Sequence, residues 1–355
     1  MSEVLLSVII PAYHSEATIK ETIESIYREF ESEINYEIIV VENGPEDQTT
    51  QVLEKLMCKG IPVKLFHSKQ GVSNARNVGI ARASGTWLMF ADADDTLHPG
   101  CGKRVIEVMQ TSEADLCLFG HQSGRNSRPV CDQAEICKEG SIERARIRML
   151  QAPTRYMQVW AKLFRRHQIL ASGVLFEPEL HLAEDSDFTF QYTAFCRSAA
   201  FYPDIIYDYH INPVSVMHTF DKKKVEGYIR AMEVMTDRIS EEKDAIQQAC
   251  RQYILVHFHI AMVNGIFAGN DTDSFFNKVS EIRQTAKRPV FAKAIRQVSL
   301  RSGGWITGGM NFLLKGHMYG ALGLVYTFRV WQKKRSYRWS VNGRQVKKLI
   351  IKGRK

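Results

Sequence analysis

No carboxylate follows Glu281. The 74 residues after it hold 18 Lys and Arg, although the whole chain of 355 residues carries a net charge of only +8. The first 281 residues therefore bear 29 cations against 39 carboxylates, so an acidic body precedes a basic C-terminal quarter. A repeated Cys-x-x-Cys pair is also missing. Cys58, Cys101, Cys117, Cys131, Cys137, Cys196 and Cys250 fit no zinc spacing, and an odd number closes no disulfide set. They read as reduced, mostly buried thiols of a cytosolic protein. The apolar run ending at Pro11 has no basic region before it and is too short for a signal peptide. The longest uncharged stretch, Tyr253 to Asn270, is broken by His257, His259, Asn264, Gly265 and Gly269, and is expected to be a buried helix rather than a membrane span. A Gly-x-x-x-x-Gly-Lys-Ser/Thr loop is absent, which excludes P-loop kinases and ATPases. Spacing reveals no Ser-His-Asp or Cys-His set, no nucleic-acid recognition motif and no internal repeat.

What is present is an ordinary globular balance, 45% apolar and 24% charged. Over the first 120 residues, β-rich runs alternate with helical periods. Leu5–Ile10, Glu37–Val41, Val63–Phe66, Trp87–Ala91 and Asp115–Gly120 read as strands buried on both faces. Ser15–Phe30, a segment opened by Asp47, Ser73–Ala83 and a segment opened by Pro99 read as the helices between them. Such alternation predicts an α/β fold with a doubly wound, mostly parallel sheet, whose ligands sit at the carboxyl ends of the strands. That rule gathers Ala12-Tyr13, Glu42-Asn43 and Asp92-Ala93-Asp94 around one crevice. Ser123 to Gly140 is polar and rich in Gly, Pro and Cys, which reads as a loop; Ala199 to Tyr207 reads as a closing strand.

Asp92-Ala93-Asp94 places two carboxylates one residue apart at a strand end, the hard oxygen set that a divalent cation takes. A solvated turn after a strand also commonly contains Asp, so context decides. Gly71 to Asn77 opens a helix with small, polar residues, and its N-terminus can receive an anion or be capped by Ser73 or Asn74. Arg76 within it offers a fixed fork for a phosphate or a base carbonyl. Glu184-Asp185 precedes a helical pattern and serves either as an N-terminal acidic cap or, beside a metal site, as a source of a general base. His210 and His218 flank a segment near this site; a structural histidine is the commoner use.

Six motifs in order, Ser7–Tyr13, Val40–Gly44, Gly71–Gly79, Asp92–Asp95, Trp160–Arg165 and Glu184-Asp185, resemble glycosyltransferase family 2 with the GT-A fold, over about residues 4–215. The resemblance implies a nucleotide-sugar site in which Pro11, Ala12, Tyr13 and Glu42 or Asn43 hold the nucleobase, usually uracil. It implies that Arg76 touches base or diphosphate, and that Asp92, Ala93 and Asp94 form the Asp-x-Asp turn. Asp92 and Asp94 would bind Mn²⁺ or Mg²⁺, Asp94 more directly. Asp185 would be the catalytic base of an inverting displacement, with Trp160, Lys162 and Glu184 on the acceptor side. Glu42-Asn43 departs from the commoner pair of aspartates, which weakens the case for uridine.

The expected organisation is a GT-A catalytic domain over 1–217, a helical extension over 218–302 and an apolar, basic tail over 303–355. Gly303 to Trp331 is rich in Trp, Phe, Leu, Met and Tyr with only Lys315 and Arg329 charged, and dense cations follow it. That pattern fits in-plane contact with an anionic membrane surface, at the inner face of the cytoplasmic membrane. The reaction expected is transfer of a hexose or N-acetylhexosamine from a UDP-sugar to a hydroxyl. The acceptor would be a lipid-linked or nascent bacterial glycan of capsule, exopolysaccharide or lipopolysaccharide, with no nucleic-acid partner. The competing readings are a catalytically silent glycan- or nucleotide-binding relative and a nucleic-acid binder using the basic tail.

Overall fold

The computed structural model describes residues 3–31, 33–210, 223–269, 273–299 and 305–352, with side chains described for all of these except 305 and 336–352. The chain divides into two units, Met1–His210 and Ile211–Lys355. The expected boundary at 217/218 lies outside the described residues.

In the first unit, β1 (Leu6–Ala12), β2 (Tyr36–Glu42), β3 (Val63–His67) and β4 (Trp87–Phe90) alternate with α1 (Ile19–Phe30), α2 (Thr49–Met57) and α3 (Val72–Arg82). There follow β5 (Thr96–Leu97), α4 (Gly102–Thr111), β6 (Leu116–Ser123), β7 (Asn126–Arg128) and β8 (Glu135–Cys137). Then come α5 (Ile142–Gln151), α6 (Pro153–Tyr156), β9 (Lys162–Arg165), α7 (Arg166–Ser172), α8 (Glu184–Phe195) and β10 (Ala199–Tyr209). The sheet order is β3-β2-β1-β4-β9-β6-β10-β5, with β7 on β6 and β8 on β10. β1 pairs in parallel with β2 on one side and β4 on the other, so the winding reverses between β1 and β4. A crevice opens at the carboxyl ends of strands at such a point. All seven residues of β1 are buried, as a central strand covered on both faces requires. Gly79 lets α3 lie directly on β1: a Cβ there would fall 2.3 Å from Ile9 Cγ2.

The sheet is mostly parallel as expected and adds detail to the sequence reading. The 123–140 segment, read as a loop or excursion, carries β7 and β8, each three residues long and too short to show a period. β9 runs antiparallel between β4 and β6 and interrupts the parallel array. β5, antiparallel to β10, is also absent from the sequence reading; at two residues it has no periodicity to detect. All seven cysteines are free, and six are buried.

The second unit is helical: α9 (Lys223–Arg238), α10 (Asp244–Ala261), a π-helical turn (Met262–Phe267), α11 (Phe275–Ala286), α12 (Pro289–Gln297), α13 (Trp305–Lys315) and α14 (Tyr319–Lys352). Tyr253 to Ala261 is helical, and the helix widens into the π turn at Met262. His257 and His259 are buried, and burial pushes both down to about 4, which keeps them neutral. His259 reaches Tyr326 Oη at 2.6 Å and Asn311 Oδ1 at 2.8 Å. Among the described residues no helix is long and apolar enough to cross a membrane.

The amino ends of the strands are tied by Glu37, which is buried. It accepts hydrogen bonds from Ser7 Oγ at 2.5 Å, Ser84 N at 2.7 Å and Lys64 Nζ at 2.6 Å. Burial raises its pKa, but Lys64, Ser7 and Ser84 pull harder and leave it below the ordinary glutamate value. The stability it contributes is therefore present above the unfolded-state pKa and lost as pH falls through the folded one. Glu37→Gln should cost about 2 kcal/mol near neutrality. In urea titrations the gap from wild type should narrow as pH drops towards the carboxylate range; a constant gap would contradict this account.

Candidate active site

The carboxyl ends of β1, β2 and β4 deliver the first residues of the crevice. Ala12 closes β1 and uses its carbonyl to accept both Asn43 N and Asn43 Nδ2, each at 3.0 Å. Asn43 Oδ1 in turn accepts Gly71 N at 3.3 Å, so this buried amide links β1, β2 and the start of α3. Gly71 has φ of +120°, which disfavours a side chain at that turn. Glu42 accepts Thr50 Oγ1 at 2.9 Å and lies 3.4 Å from His67 Nδ1. Tyr13 is 48% exposed, and its ring lies over Gly44, where a Cβ would meet Tyr13 Cδ2 at 2.7 Å. Pro11 and Ala12 are buried, so they present backbone rather than side chain.

The Asp-x-Asp turn follows β4 with an alternating pattern: Ala93 and Asp95 are buried while Asp92 and Asp94 are half-buried. The Asp94 charge acts on Asp92, so the two carboxylates are near neighbours. The Ala93 carbonyl accepts Thr22 Oγ1 at 3.0 Å. Asp95, 1% exposed, clamps the turn from behind. Its Oδ2 accepts Tyr207 Oη at 2.9 Å, and that hydroxyl accepts Asp92 N at 3.0 Å. Its Oδ1 accepts His210 N at 2.6 Å, while His210 Nδ1 lies 3.1 Å from the Asp94 carbonyl. The end of β10 is thereby hydrogen-bonded to the turn. His218 falls outside the described residues.

Arg76, 3% exposed on α3, is the centre of the cluster. Its Nη2 donates to Asp92 Oδ1 at 3.0 Å, and its Nη1 donates to Glu184 Oε1 at 3.1 Å and to Asp185 Oδ1. Helix α8 supplies the two acids from its first turn, after Ala183 at φ +60°. Val159 N donates to Asp185 Oδ2 at 3.5 Å. Asp92, Glu184 and Asp185 thus gather around Arg76, with Lys162 near Asp185 and with Asp94 and Asp95 near Asp92. Burial raises Asp92 to about 6, with Arg76 opposing and Asp185 and Asp94 adding. Burial likewise raises Asp185 to about 6, against Arg76 and with Glu184. Burial lowers Lys162 to about 7, and Asp185 resists that fall. At 1% exposure Lys162 acts on the site through its charge. Trp160 stacks on Tyr207 at 4.9 Å and Tyr209 at 5.8 Å, and meets His121 edge-on at 4.7 Å.

Carboxylates in excess of cations, with acids raised by burial first and by mutual repulsion second, form a donor set that suits a divalent cation. Asp92 and Asp94 are the residues present that could hold such a cation, although Asp92 Oδ1 already accepts from Arg76 Nη2. Another three-residue group, His14, Glu16 and Asp47, brings one ligand atom from each residue to within 4.8 Å of one another. It is largely exposed, and Asp47 Oδ1 is engaged by Thr49 N at 2.8 Å.

Sequence reasoning missed Asp95, Tyr207, Tyr209 and His121. The third acid of Asp92–Asp95 was the one available signal; the Tyr207 partner lies 112 residues away.

Residues 7–169 match the model of "Glycosyl transferase family 2". "Uncharacterized glycosyltransferase EpsJ" of Bacillus subtilis is 30% identical over 231 residues, 64% of this chain and 67% of the relative. "Poly(ribitol-phosphate) beta-N-acetylglucosaminyltransferase TarS" of Staphylococcus aureus is 29% identical over 52% of this chain, which spans 31% of that protein. The crystal structure of TarS 1–349 with UDP-GlcNAc superposes with a TM-score of 0.65 at 19% identity, over 94% of this chain and 92% of that one. The mannosyltransferase PcManGT of Pyrobaculum calidifontis, with GDP-Man and Mn²⁺, gives 0.53 at 14% identity over 94% and 87%. These structural likenesses establish the GT-A fold.

Removing Arg76 leaves Asp92, Glu184 and Asp185 without their shared partner. Arg76→Met is expected to destabilise the protein by roughly 3–5 kcal/mol in urea unfolding. A loss under about 1 kcal/mol would mean that the acids do not depend on this cation.

Proposed function

The chain belongs to glycosyl transferase family 2, and on that premise we propose that it moves a hexose or N-acetylhexosamine from a UDP-sugar to an acceptor hydroxyl with inversion. The observation that carries this reading is the carboxylate cluster around buried Arg76 at the winding reversal between β1 and β4. Tyr13, exposed over Gly44, offers the nucleobase a stacking face. Asn43 is occupied by Ala12 and Gly71, so its part is to shape that pocket, with Glu42 beside it. The start of α3 directs backbone N–H groups towards the diphosphate.

Mn²⁺ or Mg²⁺, held by Asp94 with Asp92, would supply positive charge to the departing diphosphate. Arg76 holds Asp92 and Asp185 in register on opposite sides of one guanidinium, and Asp95 with Tyr207 fixes the turn that presents Asp94. Asp185 takes the proton of the acceptor hydroxyl as its oxygen bonds to the anomeric carbon. The bond from that carbon to the phosphate oxygen breaks, and its electron pair leaves on UDP. Arg76 favours the ionised form of Asp185 against burial, while Trp160, Lys162 and Glu184 border the acceptor side. TarS, whose complex contains UDP-GlcNAc, supports a UDP-sugar. The basic C-terminal quarter supports an acceptor at a membrane surface, a lipid-linked or nascent bacterial surface glycan, with the protein peripheral on the inner face of the cytoplasmic membrane.

The test is release of nucleotide diphosphate from a panel of UDP-sugars and GDP-mannose, with Mn²⁺, Mg²⁺ or chelator. Turnover of a UDP-sugar that needs a divalent cation is expected, with a loss of about 100-fold or more in Asp94→Ala. Asp185→Asn should lose glycosyl transfer by a similar factor while still binding donor. Selection of GDP-mannose would overturn the uridine assignment. Inert but folded protein would favour the silent relative.

A further inference from the structure

Helix α14 has two apolar faces, and one has no protein partner among the described residues. Leu322, Tyr326 and Val330 are buried at spacings of four within the helical unit, where α14 packs on α11, α13 and the π turn. On the opposite side Leu324, Phe328 and Trp331 are 64%, 55% and 52% exposed. Spacings of four and three put them on one stripe. Phe328 and Trp331 stack at 5.6 Å, and the Arg335 guanidinium, one turn further, covers the Trp331 ring at 5.5 Å. The neighbouring helix α13 adds Ile306 and Phe312, 64% and 57% exposed, and Met318 is exposed between the two helices. Apolar side chains at this density are costly to leave in water.

Charge decides between occupants. All of this lies beyond Glu281, where 18 cations meet no carboxylate in the sequence. A second copy docked stripe to stripe would bring two such cationic faces together. A nucleic acid would meet aliphatic Leu324 and Ile306 where it needs stacking or hydrogen-bonding groups, and Arg335 already covers the one indole on the stripe. An anionic bilayer satisfies both components: acyl chains accept the apolar stripe, and headgroups accept Lys334 and Arg335.

We propose that the exposed stripe of α14, Leu324-Phe328-Trp331, is an in-plane docking surface for anionic phospholipid. This gives the membrane-side acceptor reading a physical anchor and takes its biological meaning from that reading. Vesicle binding is measured without donor or acceptor, so either claim can fail while the other stands.

The experiment uses the full chain and floats it with vesicles of phosphatidylcholine alone or mixed with phosphatidylglycerol. The wild type is compared with the triple variant Leu324→Ser/Phe328→Ser/Trp331→Ser. All three side chains are exposed, so circular dichroism and nucleotide-diphosphate release should match wild type. The wild type should bind mixed vesicles, release them at high salt, and bind neutral ones at least about tenfold less. The triple variant should lose at least about tenfold on mixed vesicles. Absent binding, equal binding to neutral vesicles, or a triple variant that floats like wild type would overturn the proposal. So would a stripe that controls oligomer size or a shift with single-stranded RNA while flotation is unchanged.

Discussion

One guanidinium shared by three carboxylates is the constraint on which the candidate site depends. Arg76 comes from α3, Asp92 from the end of β4, and Glu184 and Asp185 from the first turn of α8. Each of these acids is partly removed from water, with side-chain exposures of 33%, 15% and 22%. Without the cation their repulsion would open the crevice; with it the cluster still carries surplus negative charge. On the proposed function, that imbalance would let the same residues be stable in the folded protein and receive a divalent cation and a diphosphate.

The backbone arranges for that meeting. Gly79 brings α3 against β1, which sets the height of Arg76 relative to the strand ends. Asn43 bonds Ala12 and Gly71 and so fixes where α3 begins. Asp95, Tyr207 and the His210 amide close the turn from the other side. Glycosyl transfer of this kind needs little covalent chemistry from the protein, so positioning and electrostatics carry the rate. The fold supplies both by converging strand ends at the winding reversal.

Much of this was legible in the sequence because parallel α/β sheets obey a strong geometric rule. Buried β-runs followed by Ala12-Tyr13, Glu42-Asn43 and Asp92-Asp94 locate the crevice once the strands are identified. Less visible was how side chains would spend their hydrogen bonds. Asn43 reads as a base contact, yet its amide is committed to backbone groups on two other segments. Arg76 reads as a phosphate fork, yet its partners are acids up to 109 residues away. The orientation of β9 was hidden because four residues, three of them buried, look alike in either direction. In the C-terminal region the apolar content of 303–331 was plain, but its division into a packed and an exposed face needed the helix.

The most direct test of the central claim is anomalous scattering at the manganese edge from crystals soaked with Mn²⁺ and UDP. The account predicts one strong peak beside Asp94 and Asp92, bridging to the diphosphate, with Arg76 still bonded to Asp185. A peak confined to His14, Glu16 and Asp47, or UDP bound away from the ends of β1 and β4, would contradict it.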